Sequence, residues 1–283
     1  MEGYFDFSDY GSLLLLVQNS IYAGALLGVV GGLIGVFVMT RDLPFAVHGI
    51  SELSFAGASA ALLVGANVVL GSTVGSLIAG LLIGVLGVRA RERNSIIAVL
   101  MPFGLGLGIL FLALYQGRSA NKFGLLTGQV VSVDNEQLSL LTFMSIVVIV
   151  GLAVLWRPLM FASVDADVAR ARGLNVTALS IGFMILLGLA VAVSIQIVGA
   201  LLVLAILVTP AAAAMRVTAS TVLTPVLSVL FAVVAMVGGI MLSLGGGLPI
   251  SPFVTTISFT IYVGCRLIQF ARTRTAARSK LAR

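Results

Sequence analysis

His48 and Glu52 are the two side chains in this sequence whose types and spacing point to chemistry. Glu52 is the only acidic residue inside any of the apolar stretches, and His48, four residues earlier, is the only histidine in the chain. A helix places residues i and i+4 on one face, so an imidazole nitrogen and a carboxylate oxygen would point the same way. That mixed N/O set suits Zn, Mn or Fe(II), and it is poor for Cu(I), which prefers sulfur. A charge in hydrocarbon costs about 2.5–3.5 kcal/mol by insertion scales and marks a transport path or proton site. Two donors from one helix are too few for a tight structural site, whereas an ion in transit must be able to leave. The competing reading is a His–Glu hydrogen bond that only neutralises itself within a bundle.

The remaining polar residues in apolar surroundings are weaker signals. Gln196, between two apolar runs, is a candidate for lining the same path, and so is Ser51; a bridging amide at Gln196 is equally a structural feature. Ser51, Ser54, Ser59 and Asn67 read as interhelical hydrogen bonds or close-packing positions. Asn94 reads as a helix cap, and Cys265 as an inert packed or lipid-side thiol. The sequence holds no G-x-x-x-x-G-K-[ST], no H-E-x-x-H and no G-x-S-x-G, and its only lysines are Lys122 and Lys280. ATP-driven transport would therefore draw its nucleotide site from another subunit. There is no chain of buried acids of the kind ion-coupled carriers often use, and a single cysteine rules out an internal disulfide.

The elements that must position these groups are membrane helices. The 283 residues are 60% hydrophobic and 9% charged, with a mean hydropathy of +1.19; a soluble domain carries about 25% charged residues. Apolar runs, interrupted only by Glu52 and by Arg266 near the end of the last, cover 12–40, 44–69, 72–88, 95–116, 138–156, 176–194, 197–215, 220–243 and 252–268, each near the length of a crossing. The stretch 176–215 fits two crossings, or one followed by a bent piece near Ser194–Gln196. The expectation is an all-α polytopic protein of eight or nine transmembrane helices, a single transmembrane domain over 1–283. With the N-terminus outside, 14 of the 16 basic residues fall on the cytoplasmic side, and only Arg118 and Lys122 fall outside, a strong positive-inside asymmetry. An acidic outer N-terminus (1–11) lacks the basic start of a cleaved signal peptide. A basic cytoplasmic tail (269–283) reads as a solvated anchor beside anionic lipid. The net charge of +6 lies in short loops and this tail, which argues for membrane orientation and not for nucleic acid. Segment 117–137 reads as an outer loop with a short surface helix at 121–133, and 157–175 as a cytoplasmic loop. Asp42 followed by Pro44 reads as a helix start. From Pro44, His48 lies about 6 Å and Glu52 about 12 Å along the helix, the second near mid-bilayer. Glycines at small-xxx-small spacing, such as Gly24/Gly28/Gly32 and Gly71/Gly75, predict closely packed helices.

The order of segments resembles the ABC-3 family of metal-ion ABC permeases. The run GVFVMTRDLPFAVHGISELSFAGASAALLVG is similar to that family's second-helix region, with an arginine and G-D-A-x-S-H-A-x-x-x-G. Arg41 falls at the arginine, His48 at the aspartate, Glu52 at the histidine and Gly57 at the closing glycine. RNSIIAVLMPFGLGLGILFLAL, LLTGQVVSV and SVDADVARARGLNV follow in the family's order. SIQIVGALLVLAILVTPAAAAMRV, with Gln196 and Pro210, is the most specific match. Two departures stand out: the Asp/His pair is here His/Glu, and Asn94 replaces an aspartate. The resemblance implies a type II-like ABC importer permease bundle in the cell membrane, with no resident cofactor and a transported divalent ion (Mn, Zn or Fe). It implies a second permease copy, cytoplasmic ABC ATPase subunits and an external metal-binding protein. Of the inner loops 157–175 and 214–224, the second is favoured for ATPase coupling, with Arg216, Thr218 and Ser220. A stand-alone secondary cation carrier with Glu52 as coupling site, and a non-transport scaffold, are the competing classes.

Overall fold

The computed structural model describes residues 14, 17–87, 90–117, 133–200, 202–246 and 249–281. With no water in hydrocarbon, a spanning segment must satisfy its own backbone hydrogen bonds, and a helix does so within one segment. The described residues form helices α1 (Gln18–Thr40), α2 (Pro44–Leu63), α3 (Val68–Leu86), α4 (Ala90–Leu114), α5 (Asn135–Val164), α6 (Ala166–Ala171), α7 (Val176–Val198), α8 (Val203–Leu207), α9 (Thr209–Val217), α10 (Leu223–Gly246) and α11 (Ile250–Leu281). No strand occurs among them. Eight helices (α1 to α5, α7, α10 and α11) are long and apolar enough to cross a bilayer.

The stretch 176–215 is one full crossing plus a broken return. α7 runs on through Gln196 and stops at Gly199, whose φ of +75° is a region that glycine enters without steric penalty. The short helices α8 and α9 then bring the chain back, and Gly31 and Gly35 of α1 rest on Ile206, Leu207 and Ala211. The expected break near Ser194–Gln196 is thus shifted. Ser194 donates its hydroxyl to the Ala190 carbonyl at 2.7 Å and stays within the helix.

Helix α2 lies at the centre. Of its spanning window 72% is buried, with 67% for α1 and 61% for α7, against 22% for α4 and α5 and 17% for α11. It runs antiparallel to α3 and parallel to α4, and α7 closes the other side of α3. The α2/α3 approach depends on Gly57 and Gly71: a Cβ on either would collide with the other's carbonyl oxygen. Beside them Ser54 donates to the Ser72 carbonyl at 2.9 Å. At the opposite end of the bundle, Phe37 of α1 meets the edge of Trp156 of α5 (centroids 4.8 Å apart, planes at 84°) and leans on Phe183 of α7 at 5.9 Å.

Alternation of the helices sorts the charges. The α1–α2, α3–α4, α5–α7 and α9–α10 junctions and the end of α11 share one face, which carries Arg41, Arg93, Arg170, Arg172, Arg216, Arg272 and Arg274. The opposite face carries Asp134, whose carboxylate accepts from the Gln137 N–H at 2.7 Å, and Glu136.

Several local expectations change. Leu43, not Asp42, precedes α2, and it offers no side-chain cap; Asp42 instead takes a φ of +55°. Asn94 lies inside α4, which starts earlier than expected. Asn67 is the cap of α3, accepting from the Val69 and Leu70 N–H groups at 2.8 and 3.2 Å, and is not an interhelical bond. α5 continues through Pro158 to Val164, so 157–175 is largely helical. The tail is helical to Leu281, and Arg272 donates to the Val217 carbonyl at 3.0 Å. Cys265 is packed. The acidic N-terminus 1–11 and most of the surface helix expected at 121–133 lie outside the described residues.

Candidate metal site in the membrane

Pro44 occupies the first turn of α2, where its missing N–H is harmless. The next two turns deliver His48 and Glu52 on one face, with Nε2 and Oε1 3.6 Å apart. That separation is beyond hydrogen-bond range but within ion-pair distance. His48 keeps 33% of its side chain exposed and Glu52 10%. The other polar atoms of both, His48 Nδ1 and Glu52 Oε2, are buried and have no hydrogen-bond partner. A buried polar atom without a partner is costly, and here two stand on adjacent turns of one helix.

The surroundings fix α2 in place. Gly104 of α4 sits against the Glu52 backbone, where an added Cβ would come within 2.9 Å of the Glu52 carbonyl carbon. On the other flank Ser51 Oγ donates to the Ala200 carbonyl at 3.2 Å, tying α2 to the turn after α7. Ser51 therefore stands next to the pair, but its hydroxyl is engaged. Ser54, Ser72 and the Ala192 carbonyl link α2, α3 and α7, as interhelical bonds should. Ser59 makes no such bond: its Oγ is buried without a partner, which leaves the close-packing alternative of the two expected. Gln196 lies within α7, three residues before the Gly199 turn; its side chain lies outside the described residues. Among the described residues, no group of three or more His, Cys, Asp or Glu comes together. Two donors, one N and one O, are what this part of the chain offers an ion.

The residues expected at the coupling loop have intramolecular partners. Arg216 of α9 donates to the Tyr262 hydroxyl at 3.5 Å. Thr218 Oγ1 accepts from the Ser220 N–H at 3.1 Å. Ser220 Oγ accepts from the N–H groups of Val222 and Leu223, opening α10. This shapes a five-residue turn, 218–222, on the basic face.

Sequence reading missed Arg41 as more than a charge at a membrane boundary. Its guanidinium reaches from the α1–α2 junction to Ser163 Oγ at 3.4 Å and Ser180 Oγ at 3.1 Å, with the Phe183 ring 5.8 Å away. Burial, and secondarily the Arg93 charge, lowers its pKa from the ordinary arginine value. Nothing in the local sequence announces those partners, which lie 122 and 139 residues further on.

Known proteins place this arrangement. The chain is 28% identical over 228 residues to the manganese transport system membrane protein MntC of Halalkalibacterium halodurans, covering 80% of this chain and 78% of that protein. It is 30% identical over 207 residues to the MntC protein of Listeria innocua, covering 73% and 72%. Among solved structures, PsaBC from Streptococcus pneumoniae in complex with Fab superposes with a TM-score of 0.82 at 22% identity, over 92% of this chain and 95% of the other. Residues 14–269, which take in α1 to α10 and most of α11, match one family throughout, and the chain belongs to the ABC 3 transport family.

Proposed function

We propose that this chain is the membrane-spanning permease of an ATP-driven importer, and that it passes a divalent transition metal, manganese first among Mn, Zn and Fe, into the cytoplasm. The observation that carries the reading is the His48/Glu52 pair: 3.6 Å apart, not hydrogen-bonded to each other, with further buried atoms lacking a partner, on the most buried spanning helix. Manganese is favoured because relatives along most of the chain bear that metal in their names. Carboxylate oxygen suits Mn, and imidazole broadens the choice toward Zn. A site of two protein donors holds the ion loosely enough to release it, and water fills the remaining positions.

The orientation follows the charges. The arginine-rich face is cytoplasmic, the N-terminus lies outside and 1–283 forms one permease domain in the cell membrane. The sequence lacks a nucleotide-binding loop, so a separate cytoplasmic ABC ATPase supplies the energy. It docks on the 214–224 turn, where Arg216, Thr218 and Ser220 stand at the basic face. A second copy of the permease completes the membrane unit, and an external metal-binding protein delivers the ion. Uptake of radioactive manganese and zinc is the test, in cells lacking the gene and complemented with wild type or Glu52→Gln, with and without the cognate ATPase. One metal should enter only with wild type and ATPase together. Normal uptake by Glu52→Gln would sink the ligand assignment, and uptake without the ATPase would replace the importer with a secondary carrier.

A further inference from the structure

The α2 helix carries a third unpartnered group in line with the first two. At 3.6 residues per turn, positions 48, 52 and 59 fall within about 40° of one another around the axis, and Ser59 stands about 10 Å beyond Glu52 toward the acidic face. Ser59 is 0% exposed, and its Oγ has no partner. A helical serine ordinarily donates to the carbonyl one turn back, and Ser194 and Thr73 do so here at 2.7 and 2.8 Å. Ser59 forgoes that bond. Ser145 of α5 is also unpartnered, but it lies on another helix and not on the α2 stripe that carries His48 and Glu52.

Between Glu52 and Ser59 on the same stripe lies Phe55, 1% exposed. Its ring is grouped with Leu112 and Ala200 and lies against Gly108, where a Cβ would collide with it. Ala200 belongs to the turn opened by Gly199, the same turn that accepts the Ser51 hydroxyl. The stripe is therefore polar, aromatic, polar: Ser59, then Phe55, then Glu52 and His48.

Resting on the transport reading above, we propose that Ser59 Oγ is a second oxygen station for the cation, separated from the His48/Glu52 pair by the Phe55 ring. A single neutral hydroxyl cannot replace a charged ligand. The ion it receives is thus a hard divalent cation still carrying most of its water, and final dehydration occurs at Glu52.

Manganese uptake kinetics in whole cells, with the complete transporter, test this. Ser59→Ala should raise the apparent KM for manganese about five- to tenfold, the scale of one lost hydrogen-bond-strength contact, with maximal rate and amount of assembled complex unchanged. Ser59→Thr should restore it. In a Cys265→Ala background, Ser59→Cys should react with a membrane-impermeant cationic methanethiosulfonate added outside, and millimolar manganese should slow that reaction several-fold. If Ser59→Ala keeps the wild-type KM, or the thiol is unreactive or indifferent to manganese, the station is overturned while Glu52 dependence stands. If Glu52→Gln itself transports normally, the reading beneath it falls as well.

Discussion

Exchanging the ligands at positions 48 and 52 offers the sharpest test of the site. Metal–ligand bonds of about 2.1 Å to nitrogen and 2.2 Å to oxygen, drawn to atoms 3.6 Å apart, subtend an angle of about 115° at the ion. One cation can therefore touch both atoms with α2 left as it stands, and a small side-chain rotation reaches the right angle that octahedral ions favour. His48→Asp/Glu52→His keeps one nitrogen and one carboxylate at the same spacing on the same face. Each single variant breaks the pairing, giving two carboxylates or two imidazoles. Removing even an outer-shell partner of a metal site lowers affinity about 10- to 100-fold, and exchanging the donor type of a direct ligand should do at least as much, about 1.4–2.7 kcal/mol. The singles should therefore raise the apparent KM for manganese by at least tenfold, and the double variant should return to within about threefold of wild type. The coupling energy of the cycle should then be at least about 2 kcal/mol in magnitude. The assay is concentration-dependent uptake of radioactive manganese, with detergent-extracted complex quantified for all four proteins. A double variant that assembles fully yet transports no better than either single would refute the claim that the two residues act as a ligand pair.

Two further outcomes concern the scaffold. Gly57→Ala should force α2 and α3 apart and lower stability by about 1–3 kcal/mol, seen as a lower unfolding temperature in detergent; Gly106→Ala, where a Cβ meets nothing within 4 Å, should leave it unchanged or raise it. Asn67→Ala should cost about 1 kcal/mol through loss of the α3 cap while leaving the KM for manganese untouched, and a change in KM would show that the α2–α3 turn belongs to the path.

Much of this architecture was legible because hydrocarbon imposes strict rules. Of nine apolar runs, eight became spanning helices and 197–215 became the broken return, and the isolated His48/Glu52 pair stood out because a charge within such a run is expensive. What misled was local punctuation. Pro158 reads as a loop signal, yet α5 passes through it, since membrane helices tolerate proline when neighbours satisfy the freed groups. Gln196 reads as a break, while the break falls at Gly199, where a positive φ is required. Asp42–Pro44 reads as cap and first turn, but Asp42 adopts a left-handed conformation and caps nothing. The state of Ser59 was beyond sequence altogether. Whether a helical serine meets a carbonyl depends on which helices surround it, and Ser54 and Ser59, five residues apart, take opposite outcomes.

The edge-on contact between Phe37 and Trp156 has an optical consequence. Trp156 is the sole indole in the chain, and it sits at the joint where α1 meets α5, on the arginine-rich side. Ultraviolet excitation at the red edge therefore reports one location in this subunit. A shift in emission maximum or quenching on adding ATP or manganese would be a signal from that joint alone, provided the partner subunits carry no tryptophan or have theirs replaced. Through Phe37 and Phe183, the dye-free reporter is wired to the two helices that flank the base of α2, so the protein carries its own probe of whether those helices move during a transport cycle.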